Sequence, residues 1–144
     1  METSGYGEPQ TEIQILAFPF IPKSYEGFIR GKWKTSLKRG NPYFRLQEPE
    51  SYYKAYEAYI NSIFERHGTL LRIAVLADNL DIALGWSVST YDVLHYAYIG
   101  KDYRGNGIAR KLVPFEPRKI THLTIVGRSI WRKKFPKAVF DMWG

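Results

Sequence analysis

Between residues 70 and 99 three apolar segments follow one another with almost nothing between them, and this leaves few folds open. Residues 70–77 read Leu-Leu-Arg-Ile-Ala-Val-Leu-Ala, residues 82–89 form a second such run, and residues 93–99 read Val-Leu-His-Tyr-Ala-Tyr-Ile. β-Branched and aromatic side chains suit a pleated surface. Asp78-Asn79 supplies a turn, and connections this short join antiparallel neighbours, because parallel ones need a long crossover. The chain is therefore expected to be built on a three-strand meander.

The flanks fit around it. Residues 12–18 alternate and then turn apolar, which predicts a strand ended by Pro19 and Pro22. Ser24 is a suitable cap for a helix over about 25–38, whose Phe28, Ile29, Trp33 and Leu37 recur at helical spacing. Gly40-Asn41-Pro42 breaks the chain. A second helix is predicted over about 50–67, with Tyr52, Tyr56, Tyr59, Ile60 and Ile63 on one stripe and Gly68 placed to stop it. Beyond the meander come a glycine-rich loop and a short helix from Gly107 to about Val113, stopped by Pro114. A strand over 120–126, one or two helical turns in 128–134 and a last strand over 138–143 complete the series. The order predicts a mixed α/β domain over 12–144, with one strand–loop–helix–strand crossover in its second half. Residues 1–11, polar and carrying Gly5, Gly7 and Pro9, read as a loose tail.

Composition narrows the chemistry. With 44% apolar and 16% aromatic residues in 144, the chain can offset the entropy of ordering. It has no cysteine, which excludes disulfides, thiolate nucleophiles and thiolate metal sites. His67, His95 and His122 lack ligand spacing, so no metal is expected. The first twenty residues hold Glu2, Glu8 and Glu12 and no basic residue, the wrong polarity for a signal peptide. No apolar run approaches a membrane span. A soluble cytoplasmic protein is the expectation. The net charge of +7 is uneven: residues 1–100 carry −1 and residues 101–144 carry +8. Such a basic third suits an anionic partner, either nucleic acid or a phosphorylated small molecule, or it is a solvated basic face.

The most informative segment is Tyr98-Ile99-Gly100-Lys101-Asp102-Tyr103-Arg104-Gly105-Asn106-Gly107-Ile108-Ala109. A strand enters a loop with three glycines, and the loop opens a helix. Glycines let backbone N–H groups converge and a ligand come close, and free donors at the helix start favour an anion. Arg104, Arg110 and Lys111 lie near. No Gly-Lys-Ser/Thr follows, and the residue three after Gly107 is Arg110, so neither the common nucleotide P-loop nor the dinucleotide fingerprint is present. From these residues alone the loop is either a phosphate site or a plain turn.

Arg104-x-x-Gly107-x-Ala109 resembles the Arg/Gln-x-x-Gly-x-Gly/Ala motif of the GNAT acyl-CoA N-acyltransferases. Leu94-His95-Tyr96-Ala97-Tyr98-Ile99, followed by Tyr103-Arg104-Gly105, is similar to that family's fourth strand and loop, and the order of elements over 12–143 is similar as well. The resemblance implies a mixed, mostly antiparallel sheet with splayed central strands and flanking helices. It also implies acetyl-CoA or another acyl-CoA as co-substrate. Its pyrophosphate would lie on the amides of Gly105, Asn106, Gly107, Ile108 and Ala109, with Arg104 and Arg110 nearby, and its pantetheine arm along Tyr98 and Ile99. An amine acceptor would attack the thioester directly.

The chain departs from the family where catalysis is concerned. The fourth strand has no carboxylate, so His95 is the candidate base, set against its reading as a hydrogen-bonded strand histidine. No tyrosine follows Tyr103, which leaves Ser129, with Trp131 and His122 close by, as the candidate partner of the departing sulfur. Trp33 and Tyr96 are candidate acceptor contacts. Segment 30–39, with five basic residues and Trp33, reads either as an amphipathic helix with its tryptophan in the core or as a polyanion-binding edge where a base could stack on Trp33 or Tyr43. Together with 128–137 it makes nucleic acid a candidate partner. Three readings stand: an acyl-CoA-dependent N-acyltransferase, a catalytically degenerate binding module, and a nucleic-acid modifier. The chain resembles the Mom-type phage proteins, which modify adenine in DNA, in layout only, and a small, basic, aromatic-rich chain fits a phage source.

Overall fold

The computed structural model describes residues 12–40, 46, 48–104, 107–121 and 133–140. Among them, strands β1 (Ile13–Phe18), β2 (Thr69–Leu76), β3 (Asn79–Thr90), β4 (Val93–Ile99), β5 (Lys119–Ile120) and β6 (Val139–Phe140) form one sheet in sequence order. β1 to β4 are antiparallel, while β4–β5 and β5–β6 are parallel. Helices α1 (Lys23–Gly40) and α2 (Pro49–Phe64) cover one face, and the short α3 (Ile108–Leu112) covers the other.

Local chemistry sets the helix ends. The Glu48 carboxylate accepts from the backbone N–H groups of Glu50 and Ser51, which satisfies two donors at the start of α2, and Pro49 is preset for the first turn. α1 begins at Lys23, so Ser24 lies inside the first turn and does not cap it; Tyr25 donates its N–H to the Pro22 carbonyl at 3.0 Å. α2 ends at Phe64, three residues before the expected His67, and Gly68, with φ +88°, turns the chain into β2. The space a Gly68 side chain would need is taken by the Tyr91 ring.

The two sheet faces build two cores. Leu71, Ile73 and Val75 of β2 meet Trp86 and Val88 of β3, Ile29 and Trp33 of α1, and Tyr52, Tyr56, Ile60 and Ile63 of α2. On the other face Ala74, Leu84 and Leu94 meet Ile108, Ala109 and Leu112 of α3, with Ile120 and Phe135. Burial of each large side chain contributes roughly 1.5–3 kcal/mol, so these two layers dominate stability.

Strict alternation does not produce this partition. Val88 faces Tyr96 while Ser89 faces Leu94, so His95 is an extra residue in β4, a β-bulge. The bulge turns Leu94 toward α3 and Tyr96 toward α1 and α2. Leu84 is likewise extra in β3, since Gly85 faces Ala74 and Ala83 faces Val75. Among the described residues, no helix is long and apolar enough to cross a membrane.

Candidate functional site

The bulge lies beside the start of β5. Among the described residues β4 and β5 pair at Val93–Lys119 and Leu94–Ile120, followed by a hydrogen bond from Thr121 N to the Leu94 carbonyl at 3.0 Å. β5 is described only as far as Thr121, and β4 runs on beside β3 for five residues to Ile99. The continuation of β5, on which the expected splay of the central strands depends, lies outside the described residues.

The far end of β4 leads into the glycine-rich segment. Gly100 donates its N–H to the Leu84 carbonyl at 2.8 Å, and a 3-10 turn follows over Lys101–Tyr103. The Tyr103 ring lies over Gly100, 3.0 Å from where a Cβ would stand. Arg104 turns back and donates from Nε to the Ile99 carbonyl at 3.0 Å. Gly105 and Asn106 lie outside the described residues. Gly107 precedes α3 with φ +76°, a left-handed conformation that a side chain disfavours, and among the described residues a Cβ built there meets nothing within 4 Å. The loop therefore needs its glycine for backbone shape. Ile108 and Ala109 are buried; Arg110 and Lys111 are exposed. Arg110 donates from Nη2 to the Lys134 carbonyl at 3.3 Å and lies 4.8 Å from the Phe135 ring centre.

The other predicted site residues occupy different surroundings. His95 is fully buried, with Nε2 2.9 Å from Thr90 Oγ1 and Nδ1 3.3 Å from Thr121 Oγ1. Burial, and then the charge of Arg66, lower its pKa to about 4, so the ring is neutral at physiological pH. This is the geometry of the hydrogen-bonded strand histidine. Trp33 is 0% exposed and Tyr96 3%, and their rings stack on each other at 5.8 Å with 4° between planes. Neither offers a free face to a base or an acceptor. Trp86 and Tyr98 continue the aromatic layer toward Phe28, whose ring meets Tyr98 edge-on at 6.3 Å. Phe28 is 36% exposed, so this layer reaches the surface beside the end of β4. Ser129, His122, Trp131 and Tyr43 lie outside the described residues.

Part of the basic segment 30–39 is engaged in structure. Arg30 Nη1 and Lys34 Nζ pair with the two oxygens of Glu57 at 2.8 and 2.6 Å, joining α1 to α2. Partial burial alone would raise the Glu57 pKa, but the Lys34 hydrogen bond and both cations lower it overall. Sequence reasoning missed Thr90 and Thr121, whose hydroxyls face the two ring nitrogens of His95. Threonines are common in and beside strands, and nothing in their spacing announces that the fold brings these two to one imidazole.

No family model and no curated protein sequence matches the chain. Solved structures do. The aminoglycoside N-acetyltransferase AAC(6')-Iy in complex with CoA is 17% identical with a TM-score of 0.55, over 92% of this chain and 90% of that one. The same enzyme with a CoA-linked bisubstrate analogue gives 15% identity and a TM-score of 0.50, over 91% and 92%. A Pyrococcus furiosus protein assigned as an acetyl transferase gives 15% and 0.55, over 90% and 80%. At such identities the likeness speaks for architecture, and it agrees with the mixed, mostly antiparallel sheet flanked by helices: the chain has the GNAT acyltransferase fold.

Proposed function

We propose that this protein binds an acyl-CoA and transfers its acyl group to an amine. The observation that carries the reading is the end of β4, which runs straight into a loop whose left-handed Gly107 has open space beside it among the described residues. The likeness to AAC(6')-Iy, whose structure is a complex with CoA, supports a ligand of the CoA type. In this reading the amides near Gly107, Ile108 and Ala109 receive the pyrophosphate, Arg104 and Arg110 supply charge, and the arm lies along Tyr98 and Ile99. The amine nitrogen attacks the thioester carbonyl. The C–N bond forms, the C–S bond breaks, and the proton lost by nitrogen balances the one that CoA gains as thiol. Ser129 is kept as the candidate donor to the departing sulfur.

A binding module without turnover is the second reading. The observation favouring it is that His95, the titratable residue of β4 suited to proton transfer near neutral pH, is buried with both ring nitrogens engaged.

Calorimetric titration with acetyl-CoA, with Gly107→Glu as control, tests the assignment. A side chain in the left-handed region costs about 1 kcal/mol, so the variant should stay folded. Wild-type binding with at least about tenfold weaker binding by the variant supports the loop site, since 1.4 kcal/mol of lost interaction is tenfold. Equal affinities would refute it. Thiol release with a panel of amines then separates enzyme from module.

A further inference from the structure

Arg72 carries a half-buried charge that no carboxylate among the described residues neutralises. It sits in β2 on the sheet face covered by α3, with Ala17 of β1 and Ser87 of β3 as its cross-strand neighbours. Its Nη1 donates to Ser89 Oγ at 3.1 Å, and its Cζ stands 5.6 Å from the centre of the Phe115 ring. The ion pairs among the described residues lie elsewhere: Arg30 with Glu26 and Glu57, Lys34 with Glu57, and Arg118 with Asp92. Arg30 and Lys34 make the useful contrast. Their side chains are 19% and 20% exposed, and the fold gives both of them Glu57. Arg72 is likewise drawn from water, and this desolvation lowers its pKa with no opposite charge to offset it.

Most of the hydrogen-bonding capacity here is unspent. A guanidinium offers five N–H donors in a planar fork, and Ser89 takes one of them. Ser89 is 2% exposed and accepts from Arg72, and among the described residues its own proton has no acceptor. Ser87 does not compete, because its hydroxyl donates to the Leu112 carbonyl at 2.7 Å. On the β1 side the neighbour is exposed Ala17, so an approach from there meets only a methyl group. One cation, one unspent hydroxyl proton and an aromatic ring select a ligand class. A monoanion balances the charge, and the two coplanar oxygens of a carboxylate match the fork. A phosphate dianion would keep one charge uncompensated, since the contacts of Arg72 include no second cation. We propose that Arg72, Ser89 and Phe115 form a site for a monocarboxylate with a short apolar body. Its oxygens take the guanidinium N–H groups and the Ser89 hydroxyl, and its apolar part lies against Phe115 and Ala17. This site is separate from the glycine-rich loop and does not rest on the acyl-CoA reading.

Butyrate is the probe, with acetate, phosphate and chloride at matched ionic strength for comparison, all on the full chain. Nitrogen-15 NMR should show a saturable shift of the Arg72 Nε–H resonance with butyrate, that resonance being assigned by its loss in Arg72→Met. Acetate, with two fewer methylenes, should bind about threefold more weakly. Butyrate should also raise the thermal midpoint, and Arg72→Met should lose that rise. Without butyrate the same variant should be at least as stable as wild type, because an apolar side chain replaces an uncompensated half-buried charge. Arg72→Lys keeps the charge without the fork, and Ser89→Ala removes the hydroxyl; each should bind butyrate about threefold more weakly. No saturable shift with butyrate would overturn the site. So would a midpoint rise that persists in Arg72→Met, or phosphate and chloride matching butyrate, which would reduce the effect to screening of charge.

Discussion

At position 95 the chain places a titratable ring where water does not reach, and the consequence is a stability that depends on pH. In the unfolded chain His95 takes up a proton near its ordinary pKa of about 6.5; in the folded protein burial and the Arg66 charge hold it to about 4. Between those values the unfolded state binds more protons, so stability falls as pH falls from 6.5 toward 4 and is level for this group above 6.5. The loss is on the order of 3 kcal/mol across that window. Thermal denaturation of wild type and His95→Gln from pH 7 to 4.5 checks this. The variant should be less stable at pH 7 but should lose less on acidification. Parallel losses would show that the imidazole is not held neutral. The histidine's presence on the fourth strand was legible in the sequence. Its confinement was not, because it depends on Thr90 and on Thr121, which is 26 residues away.

Strands and helices were legible where periodicity or turn chemistry spoke. β4 spans the predicted 93–99, and β2, α1 and α2 lie within a few residues of expectation. The bulges were not legible, because Val93 to Ile99 is apolar at nearly every position and gives no alternation whose break would reveal a change of face. Glycines show the same contrast between a local and a tertiary cause. Gly31 lies within α1, and among the described residues a Cβ there meets nothing within 4 Å, so Gly31→Ala should stabilise by roughly 0.5–1 kcal/mol through backbone entropy alone. Gly85 faces the backbone of β4, with a Cβ 2.5 Å from the Tyr98 carbonyl oxygen and 3.1 Å from Ile99 Cα. Gly85→Ala should cost about 1–3 kcal/mol and lower the thermal midpoint by several degrees, because β4 must shift. It should also weaken acetyl-CoA binding, since Gly100 hangs on the same strand pair through its bond to the Leu84 carbonyl. Calorimetric melting of the two variants should move in opposite directions; a Gly85→Ala protein as stable as wild type would mean that the β3–β4 approach is not tight.

Across the whole molecule the charge is divided by role. The excess of +8 in residues 101–144 includes Lys101, Arg104, Arg110 and Lys111, all exposed on or beside the loop. The basic stretch of α1 differs, because Glu57 holds Arg30 and Lys34, and Trp33 lies in the core. This distribution suits a small polyphosphorylated ligand at the loop better than a nucleic-acid strand laid along α1. Exposed charges are screened once the Debye length falls from about 10 Å at 0.1 M salt to about 3 Å at 1 M. Acetyl-CoA affinity should therefore weaken about five- to tenfold between 50 and 500 mM NaCl. Arg104→Gln should remove part of that dependence. Arg30→Gln and Lys34→Gln should lower stability slightly, by well under about 1 kcal/mol for such partly exposed pairs, and leave acetyl-CoA affinity unchanged. Titration of a single-stranded oligonucleotide at the same two salt concentrations supplies the opposing case. If the α1 substitutions abolish oligonucleotide binding while Arg104→Gln leaves it intact, the polyanion site is on α1 and the nucleic-acid reading displaces the one argued here.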